Sequence, residues 1–312
     1  MNEKFKRFDF SKIKTYPIAS RKNLVSKDKF SKLPDEFDSF KEFYKSLPDI
    51  LVGKDFKKLV TKIKEAKDKK KPFIAALGGH VIKSGVAPFI IKLIKEGFLT
   101  GISMNGSTII HDFEIAMIGE TSEDVAKALH EGKFGCAEET GANIFKALKL
   151  CENHGYGGSI GKYINDSSFK YKEYSVAYNC FKENIPLTVH SASGTEIIYQ
   201  HPDVDGALLG KASQVDFEIL CENVKNLTGG GVFLNIGSAV IMPEVFLKAI
   251  AVVTASGFEL ENITTANFDM IQHYRPLTNV VKRPTLKNSE GFAITGHHEI
   301  LIPLLAFSLL NS

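Results

Sequence analysis

One stretch, residues 72–114, limits the possible folds more than any other part of the chain. It begins with an unbroken apolar run at 73–77, which has the length of a strand buried on both faces of a sheet. Apolar residues then recur at helical spacing over 86–94, and a second short strand is predicted at 99–104. This order predicts a βαβ unit with two parallel strands.

Glycine and polar residues follow both predicted strands. Because ligands of open parallel sheets bind at the carboxyl ends of the strands, we expect a ligand-binding edge at this point. Its candidate residues are Gly79, His80, Lys83 and Ser84 after the first strand, and Asn105, Gly106, Ser107, His111 and Asp112 after the second.

The rest of the chain repeats the alternation of strands and helices. Strands are predicted at 185–189, 232–236 and 263–271, and helices at 122–129 (with Thr121 or Ser122 as N-cap), 138–151, 174–181, 217–224, 243–256 and 300–310. The glycine-rich segment 154–161 predicts a loop between helices, because it lacks the preceding strand of a dinucleotide fingerprint. The pattern favours a doubly wound, mostly parallel, Rossmann-like α/β sheet with helices on both faces.

The first 71 residues are rich in lysine and show no strand pattern. Their apolar residues predict two outer helices, one near 37–44 and one over 56–70. We therefore expect an N-terminal arm with outer helices at 1–71 and a Rossmann-like domain at 72–312, packed together as one unit.

Composition excludes several classes of protein. The net charge of +3, without interleaved basic and aromatic residues, argues against nucleic-acid binding. No apolar run is long enough to span a bilayer, and the N-terminus has no apolar signal core, so we expect a cytoplasmic protein without a membrane partner. The four cysteines, Cys136, Cys151, Cys180 and Cys221, form no CxxC pair, which predicts reduced thiols and no metal site.

Several strand-end turns combine glycine with polar residues and predict a crevice lined by backbone N–H groups, suited to phosphates and a ribose. Besides the two turns of the first unit, they lie at 191–196, 229–231, 237–239 and 295–298. The adjacent pair His111 and Asp112 has two interpretations: an acid–base or metal-binding pair, or a lining histidine beside an aspartate that caps backbone N–H groups. Lys83 and Lys282 are likewise either imine-forming lysines or ordinary solvated ones.

The order of several segments resembles the deoxyhypusine synthase family over roughly residues 72–312. The matching pieces are 82–85 (IKSG), His111-Asp112, 174–189, 229–232 (GGGV) and 302–305. The resemblance implies a homotetramer with NAD sites at subunit interfaces, hydride transfer from a polyamine to NAD, and group transfer through a lysine with help from a histidine. By position it implies that NAD contacts Lys83, Ser84, Asn105, Gly106, Ser107, Gly194 and Gly296, to which the strand-end turns add Gly79, His80 and His297.

This sequence departs from the family at three points. It has no tryptophan, so the family's Trp-Gly-Lys stretch is missing. The position that corresponds best to the lysine of that stretch is Lys282. No histidine occurs in 234–236, just past GGGV. The acidic loop that grips polyamines is replaced by 272–276, which contains His273 and Arg275. Catalysis is therefore predicted on Lys282, His111 and Asp112, and substrate binding on His190, Glu196, Asn235, His273, Arg275 and Arg283.

The favoured function is an NAD-dependent enzyme that acts by hydride transfer, with or without group transfer through a lysine imine. The cations at 275, 282 and 283 predict an anionic small-molecule substrate rather than a polyamine. Two alternatives stay open: a polyamine-modifying transferase of the deoxyhypusine or homospermidine synthase type, and a non-catalytic oligomer that binds a nucleotide or metabolite.

Overall fold

The structure, a computed structural model, describes residues 39–150, 154–285 and 288–311, together with Lys14, Pro17 and Ser31. Its six strands form one parallel sheet in the order β3-β2-β1-β4-β5-β6. The strands are β1 Phe73–Leu77, β2 Gly101–Asn105, β3 Leu187–His190, β4 Val232–Ile236, β5 Thr264–Asp269 and β6 Glu290–Thr295. The fold is therefore the α/β, doubly wound Rossmann-like fold that the sequence predicts.

Thirteen α-helices lie in the described part of the chain. They are α1 Phe40–Ser46, α2 Leu51–Asp68, α3 Gly79–Lys83, α4 Ala87–Lys95, α5 Gly106–Ile118, α6 Val125–His130, α7 Glu138–Leu150, α8 Gly155–Asp166, α9 Val176–Lys182, α10 Gly206–Lys225, α11 Ile241–Ala255, α12 Tyr274–Pro276 and α13 His298–Asn311. Short 3₁₀ turns occupy Lys172–Tyr174, Ile197–Gln200 and Arg283–Thr285, and a π-helical turn occupies Leu277–Lys282. None of these helices is long and apolar enough to cross a membrane.

The sheet lies between two layers of helices, and β1 shows how it divides the core. Phe73, Ala75 and Leu77 belong to the larger apolar cluster, whereas Ile74 and Ala76 belong to the smaller one. The alternation follows from the two-residue period of a strand. On the smaller side, the rings of Phe233 (β4) and Phe246 (α11) stack with centroids 3.6 Å apart. Both faces of the sheet are thus covered, as an all-parallel sheet requires.

Helix α2 belongs to this core although it lies in the predicted N-terminal segment. Its buried residues include Phe56, Leu59 and Ile63, which join the larger cluster. The predicted helix near 37–44 appears as α1, which begins at Phe40, while Phe37 lies outside the described residues. The division of the chain at residue 71 stays a prediction.

Three local predictions are wrong or incomplete, and the end of one predicted helix lies outside the described residues. Strand β6 was not predicted, because Gly291 interrupts its apolar pattern; a side chain there would overlap the backbone of Val281. Helix α6 is capped by Asp124, not by Thr121 or Ser122. The predicted helix at 138–151 is described to Leu150, and Cys151 lies outside the described residues.

The segment 154–161 is not a loop: it forms most of α8. Its glycines serve close packing, because a Cβ at Gly157 would overlap the carbonyl of Leu187 in β3, and one at Gly161 would lie 2.8 Å from the carbonyl of Ala177 in α9. The glycines therefore mark a helix face that contacts other backbones.

The outer edge of strand β3 is occupied by side chains of α10. The backbone N–H of Val189 donates to the Asp216 carboxyl at 2.6 Å, and the carbonyl of Val189 accepts from the Ser213 hydroxyl at 3.2 Å. Asp216 also accepts from the backbone N–H of Gly157 at 2.8 Å. Burial raises the pKa of Asp216 to about 8. These contacts tie α8, α10 and β3 together.

Candidate active site

Most of the residues predicted to bind ligands follow strands at one edge of the sheet. The connections after β1 and β2 carry Gly79, His80, Lys83, Ser84, Asn105, Gly106, Ser107 and His111. The connection after β3 carries Gly194 and Glu196, and the connection after β5 carries His273 and Arg275. Gly296 and His297 follow β6. Since β1 and β4 are neighbours whose connections leave in opposite directions, they form the switch point of the sheet. The general rule for open parallel sheets places a ligand-binding crevice between the carboxyl ends of these two strands.

Two glycine turns line this crevice with backbone. A Cβ on Gly78 would overlap the carbonyl of Gly237, so neither turn has room for a side chain between them. Gly237 has a φ of +65°, and a Cβ on it would lie 2.6 Å from Nε2 of His298. The two turns therefore lie backbone against backbone at this point of the sheet, with His298 packed beside Gly237.

Two buried polar atoms beside the Gly237 turn have no hydrogen-bond partner among the described residues. They are Oδ1 of Asn235 and Nδ1 of His298. Nδ2 of Asn235 is occupied, since it donates to Asn267 at 2.6 Å and to the carbonyl of Ser238 at 2.9 Å. Because an unpaired buried polar atom is costly, these two atoms mark positions where a ligand could complete the bonding.

A cavity of about 780 Å³ adjoins the crevice on the β2–β3 side. Helix α5, residues 120–140 and residues 195–197 form its walls. The polar side chains that matter chemically are Lys83, Ser107, His111, Glu114, Thr121 and Glu196. Glu114 and Thr121 were not predicted; only the i, i+3 spacing of His111 and Glu114 pointed to the first of them.

His111 is held by a hydrogen-bonded chain of side chains. Its Nδ1 lies 2.7 Å from Oγ1 of Thr121, whose hydroxyl donates to Glu114. The second oxygen of Glu114 accepts from Thr140 at 3.0 Å. Burial, together with the nearby charge of Lys83, lowers the pKa of His111 to about 4. His111 is therefore an uncharged imidazole at neutral pH.

Glu196 brings a second proton-accepting group to the cavity. One oxygen accepts from the backbone N–H of Ala192 at 2.8 Å, and the other, Oε2, is buried without a partner among the described residues. Its carboxyl lies against the start of α5 so closely that any side chain at position 106 would overlap it. Burial raises the pKa of Glu196 to about 7. A group that titrates near neutral pH suits general acid–base catalysis.

Asp112 does not reach the cavity. It is fully buried and accepts from the backbone N–H groups of Val176 at 2.7 Å and Ala177 at 3.0 Å, and from the Ser175 hydroxyl at 2.6 Å. These contacts satisfy donors at the N-terminus of α9. The geometry therefore favours the capping interpretation of Asp112 over an acid–base role.

Two other predicted substrate contacts, His190 and Asn235, also lie in the interior. His190 is only 5% exposed, with Nε2 3.1 Å from the Thr188 hydroxyl, and burial lowers its pKa to about 4. Asn235 is fully buried in β4 and presents only Oδ1 without a partner. His190 therefore has no visible route to a substrate, whereas Asn235 could meet a ligand in the crevice.

Two of the three predicted cations lie around one carboxylate. Arg275, in the β5–β6 connection, pairs with Glu244 at 3.3 Å. Asn279 donates to the same oxygen of Glu244 at 2.9 Å and accepts from Arg283 at 2.8 Å. Lys282 is the last residue of the π-helical turn. None of the three cations lines the cavity.

No group of three or more His, Cys, Asp or Glu side chains in the described residues could hold a metal ion.

Comparison with known proteins adds information on the fold. No family model and no curated protein matches the sequence. The solved structure of AgrE in ternary complex with ornithine and NAD+ matches with a TM-score of 0.51 at 15% identity, over 82% of this chain and 32% of that one. A putative deoxyhypusine synthase from Entamoeba histolytica matches with a TM-score of 0.52 at 11% identity, over 86% of this chain and 92% of that one.

This chain spans about a third of the length of the AgrE chains. At these identities the likenesses show the shared fold. The resemblance to the deoxyhypusine synthase family stays a prediction from the sequence.

Proposed function

We propose that this protein is an NAD-dependent enzyme that oxidises a small amine by hydride transfer. The observation that supports the proposal is that two features lie at the same edge of the sheet. One is the switch point between β1 and β4, which is lined by backbone, and the other is the cavity that contains Glu196 and an uncharged His111.

The crevice fits a dinucleotide in two respects. Gly78 and Gly237 put backbone rather than side chains at the switch point, and Asn235 Oδ1 and His298 Nδ1 are buried without partners among the described residues. The residues that would hold NAD are the strand-end residues Gly79, His80, Lys83, Ser84, Asn105, Gly106, Ser107, Gly194, Gly296 and His297, with Asn235 and His298 added by the structure. Bound NAD would supply the hydride acceptor. A protein of this fold, AgrE, has been solved with ornithine and NAD+ together.

The charge of the cavity favours an amine and revises the anionic substrate predicted from sequence. Five carboxylates line it against the single lysine Lys83: Glu114, Glu120, Glu123, Glu139 and Glu196. The cations that suggested an anion do not line the cavity, and two of them, Arg275 and Arg283, are grouped around Glu244. A cavity with this sign of charge attracts an ammonium group.

Glu196 and His111 then have separate roles. An amine must lose its ammonium proton before its lone pair can assist departure of a hydride from the adjacent carbon. Oε2 of Glu196, unpartnered and titrating near neutral pH, is placed to take that proton. His111, uncharged, accepts a hydrogen bond from the substrate without repelling it. The proposal gives no role to Lys282.

A two-stage experiment tests this function. First, thermal unfolding is measured with NAD and with NADP. A ligand at about a hundred times its Kd adds about 2.7 kcal/mol, which for 312 residues is a shift of about 4 °C. Second, NADH formation is measured with diamines and polyamines, and with dicarboxylates and diols of matched length.

We expect stabilisation by a dinucleotide and NADH formation with amines only. Glu196→Gln should abolish turnover and keep the cofactor-induced shift, whereas Arg275→Ala should retain turnover. No shift with either dinucleotide refutes the cofactor, and turnover of a dicarboxylate refutes the amine. Binding without turnover of any substrate would instead support the non-catalytic alternative.

A further inference from the structure

The hydrogen-bonded chain around His111 has a consequence that follows from counting its hydrogens. A threonine hydroxyl carries one hydrogen, and that of Thr121 is donated to Glu114. The oxygen of Thr121 can then only accept from its other neighbour, Nδ1 of His111, 2.7 Å away. Nδ1 must therefore carry the imidazole hydrogen, and Nε2 must carry the lone pair.

We propose that Thr121 and Glu114 are positioning residues that fix His111 in its Nδ1–H tautomer, so that Nε2 faces the ligand as a hydrogen-bond acceptor. Glu114 is the acceptor at the end of this chain, because one of its oxygens accepts from Thr121 and the other accepts from Thr140. Both hydroxyls point their hydrogens at one carboxylate, which leaves no hydrogen for Thr121 to give to the ring.

The backbone brings Thr121 to this position by an unusual turn. Helix α5 ends at Ile118 and is capped by Gly119, which has a φ of +78° and packs against the ring of Tyr171. Ser122 also has a positive φ, +71°. A left-handed conformation is unfavourable for a serine, because its Cβ comes too close to the backbone. Thr121 thus lies between two left-handed residues, and backbone strain of this kind is maintained by the contacts around it.

The opposite edge of the ring faces the site. Cδ2 of His111, next to Nε2, is the ring atom nearest to Gly79, since a Cβ there would lie 3.4 Å from it. Nε2 has no hydrogen-bond partner in the part of the chain that the structure describes, and His111 lines the cavity. Lys83 on the same wall opposes a positive charge on the ring. Nε2 is therefore available as an acceptor to a ligand in the cavity.

This arrangement selects for ligands that offer a donor, such as an ammonium or hydroxyl group, and against ether or ester oxygens. That consequence rests on the proposed function, whereas the tautomer itself does not. Thr121 is thereby a specificity-determining residue although it need not touch the substrate.

The test is side-chain nitrogen NMR on protein labelled with ¹⁵N-histidine, without cofactor or substrate. His111→Gln identifies the His111 signals among the nine histidines. We expect the wild type to show a protonated Nδ1 and an unprotonated Nε2 at neutral pH. Thr121→Val should reduce the ratio of the Nδ1–H to the Nε2–H tautomer by about fivefold, the factor for one hydrogen bond of about 1 kcal/mol. Thr121→Ser, which keeps the hydroxyl, should retain the wild-type ratio.

Thr195→Val is the matched control, since Thr195 lies on the same cavity but bonds to the carbonyl of Ala192. It should leave the His111 signals unchanged. An Nε2–H tautomer in the wild type, or an unchanged ratio in folded Thr121→Val, overturns the proposal. If Thr121→Val does not fold, the wild-type spectrum still decides. Failure of NAD to bind would refute the proposed function and leave this result intact.

Discussion

Replacing Glu196 by glutamine should change how the stability of the protein depends on pH. The carboxyl of Glu196 is only 9% exposed, and burial raises its pKa from 4.5 to about 7. A group with a raised pKa in the folded state stabilises the protein fully below its unfolded pKa, and this contribution is lost as the pH rises through the folded pKa. Glutamine is neutral at every pH and removes this dependence.

The size of the effect follows from the two pKa values. A shift from 4.5 to about 7 corresponds to about 3 kcal/mol of unfolding free energy, of which about 2.5 kcal/mol is lost between pH 5 and pH 8. With an unfolding entropy of about 650 cal/mol/K for 312 residues, that is about 4 °C in Tm. The Tm of Glu196→Gln minus that of the wild type should therefore rise by about 4 °C from pH 5 to pH 8.

The assay is thermal unfolding of both proteins at half-unit pH steps and constant ionic strength. Taking the difference between them cancels the contributions of Asp112 and Asp216, whose pKa values burial also raises. Glu259→Gln, at an exposed position, is the matched control and should show no such trend. A Tm difference that stays constant, or falls with pH, would refute the assignment of Glu196 as a buried carboxyl with a raised pKa.

Three further predictions concern the crevice, the buried aspartate and the distant lysine. Gly78→Ala should lower the unfolding free energy by about 3 kcal/mol, because the new Cβ meets backbone that cannot rotate away. Gly210→Ala, at a helical position with nothing within 4 Å of the new Cβ, should raise the unfolding free energy by about 0.5–1 kcal/mol. Denaturant titration measures both changes. Asp112→Ala should cost about 3 kcal/mol or more by the same measurement, since it leaves buried N–H groups of α9 unpaired, and an unchanged stability would contradict the capping role. Lys282→Ala should leave Tm and NADH formation as in the wild type, and loss of turnover with an intact fold would restore its imine role.

The sheet could be predicted because its strands carry their signal locally. Strands β1 and β4 are short apolar runs ended by glycine, and both were predicted with the bounds that the structure has. Strand β6 lacks that signal, because Gly291 is required by the nearby backbone of Val281 rather than by β6 itself. Helix α8 was missed for a similar reason: its glycines report contacts with β3 and α9, which no local pattern reveals.

The same difference between local and long-range signals explains which residues of the candidate site could be predicted. Gly79, Asn105, Ser107 and His111 were predicted, since strand ends in a parallel sheet converge whatever the details. The partners of His111 were not, because Thr121 reaches it only through the turn at Gly119. The anionic substrate was predicted from cations that are close in sequence. In the structure Arg275 and Arg283 are grouped around Glu244 and do not line the cavity, which spacing in the sequence does not reveal.

The contacts on the outer edge of β3 limit how copies of this chain could assemble. An uncovered edge strand can pair with a strand of another molecule, and this is a common route to aggregation. Here the outward N–H and carbonyl of Val189 are already bonded to Asp216 and Ser213. The sheet therefore cannot be continued past β3 by a second molecule unless α10 first moves away. Among the strands that the structure describes, a strand-to-strand contact between copies would have to use the opposite edge, at β6.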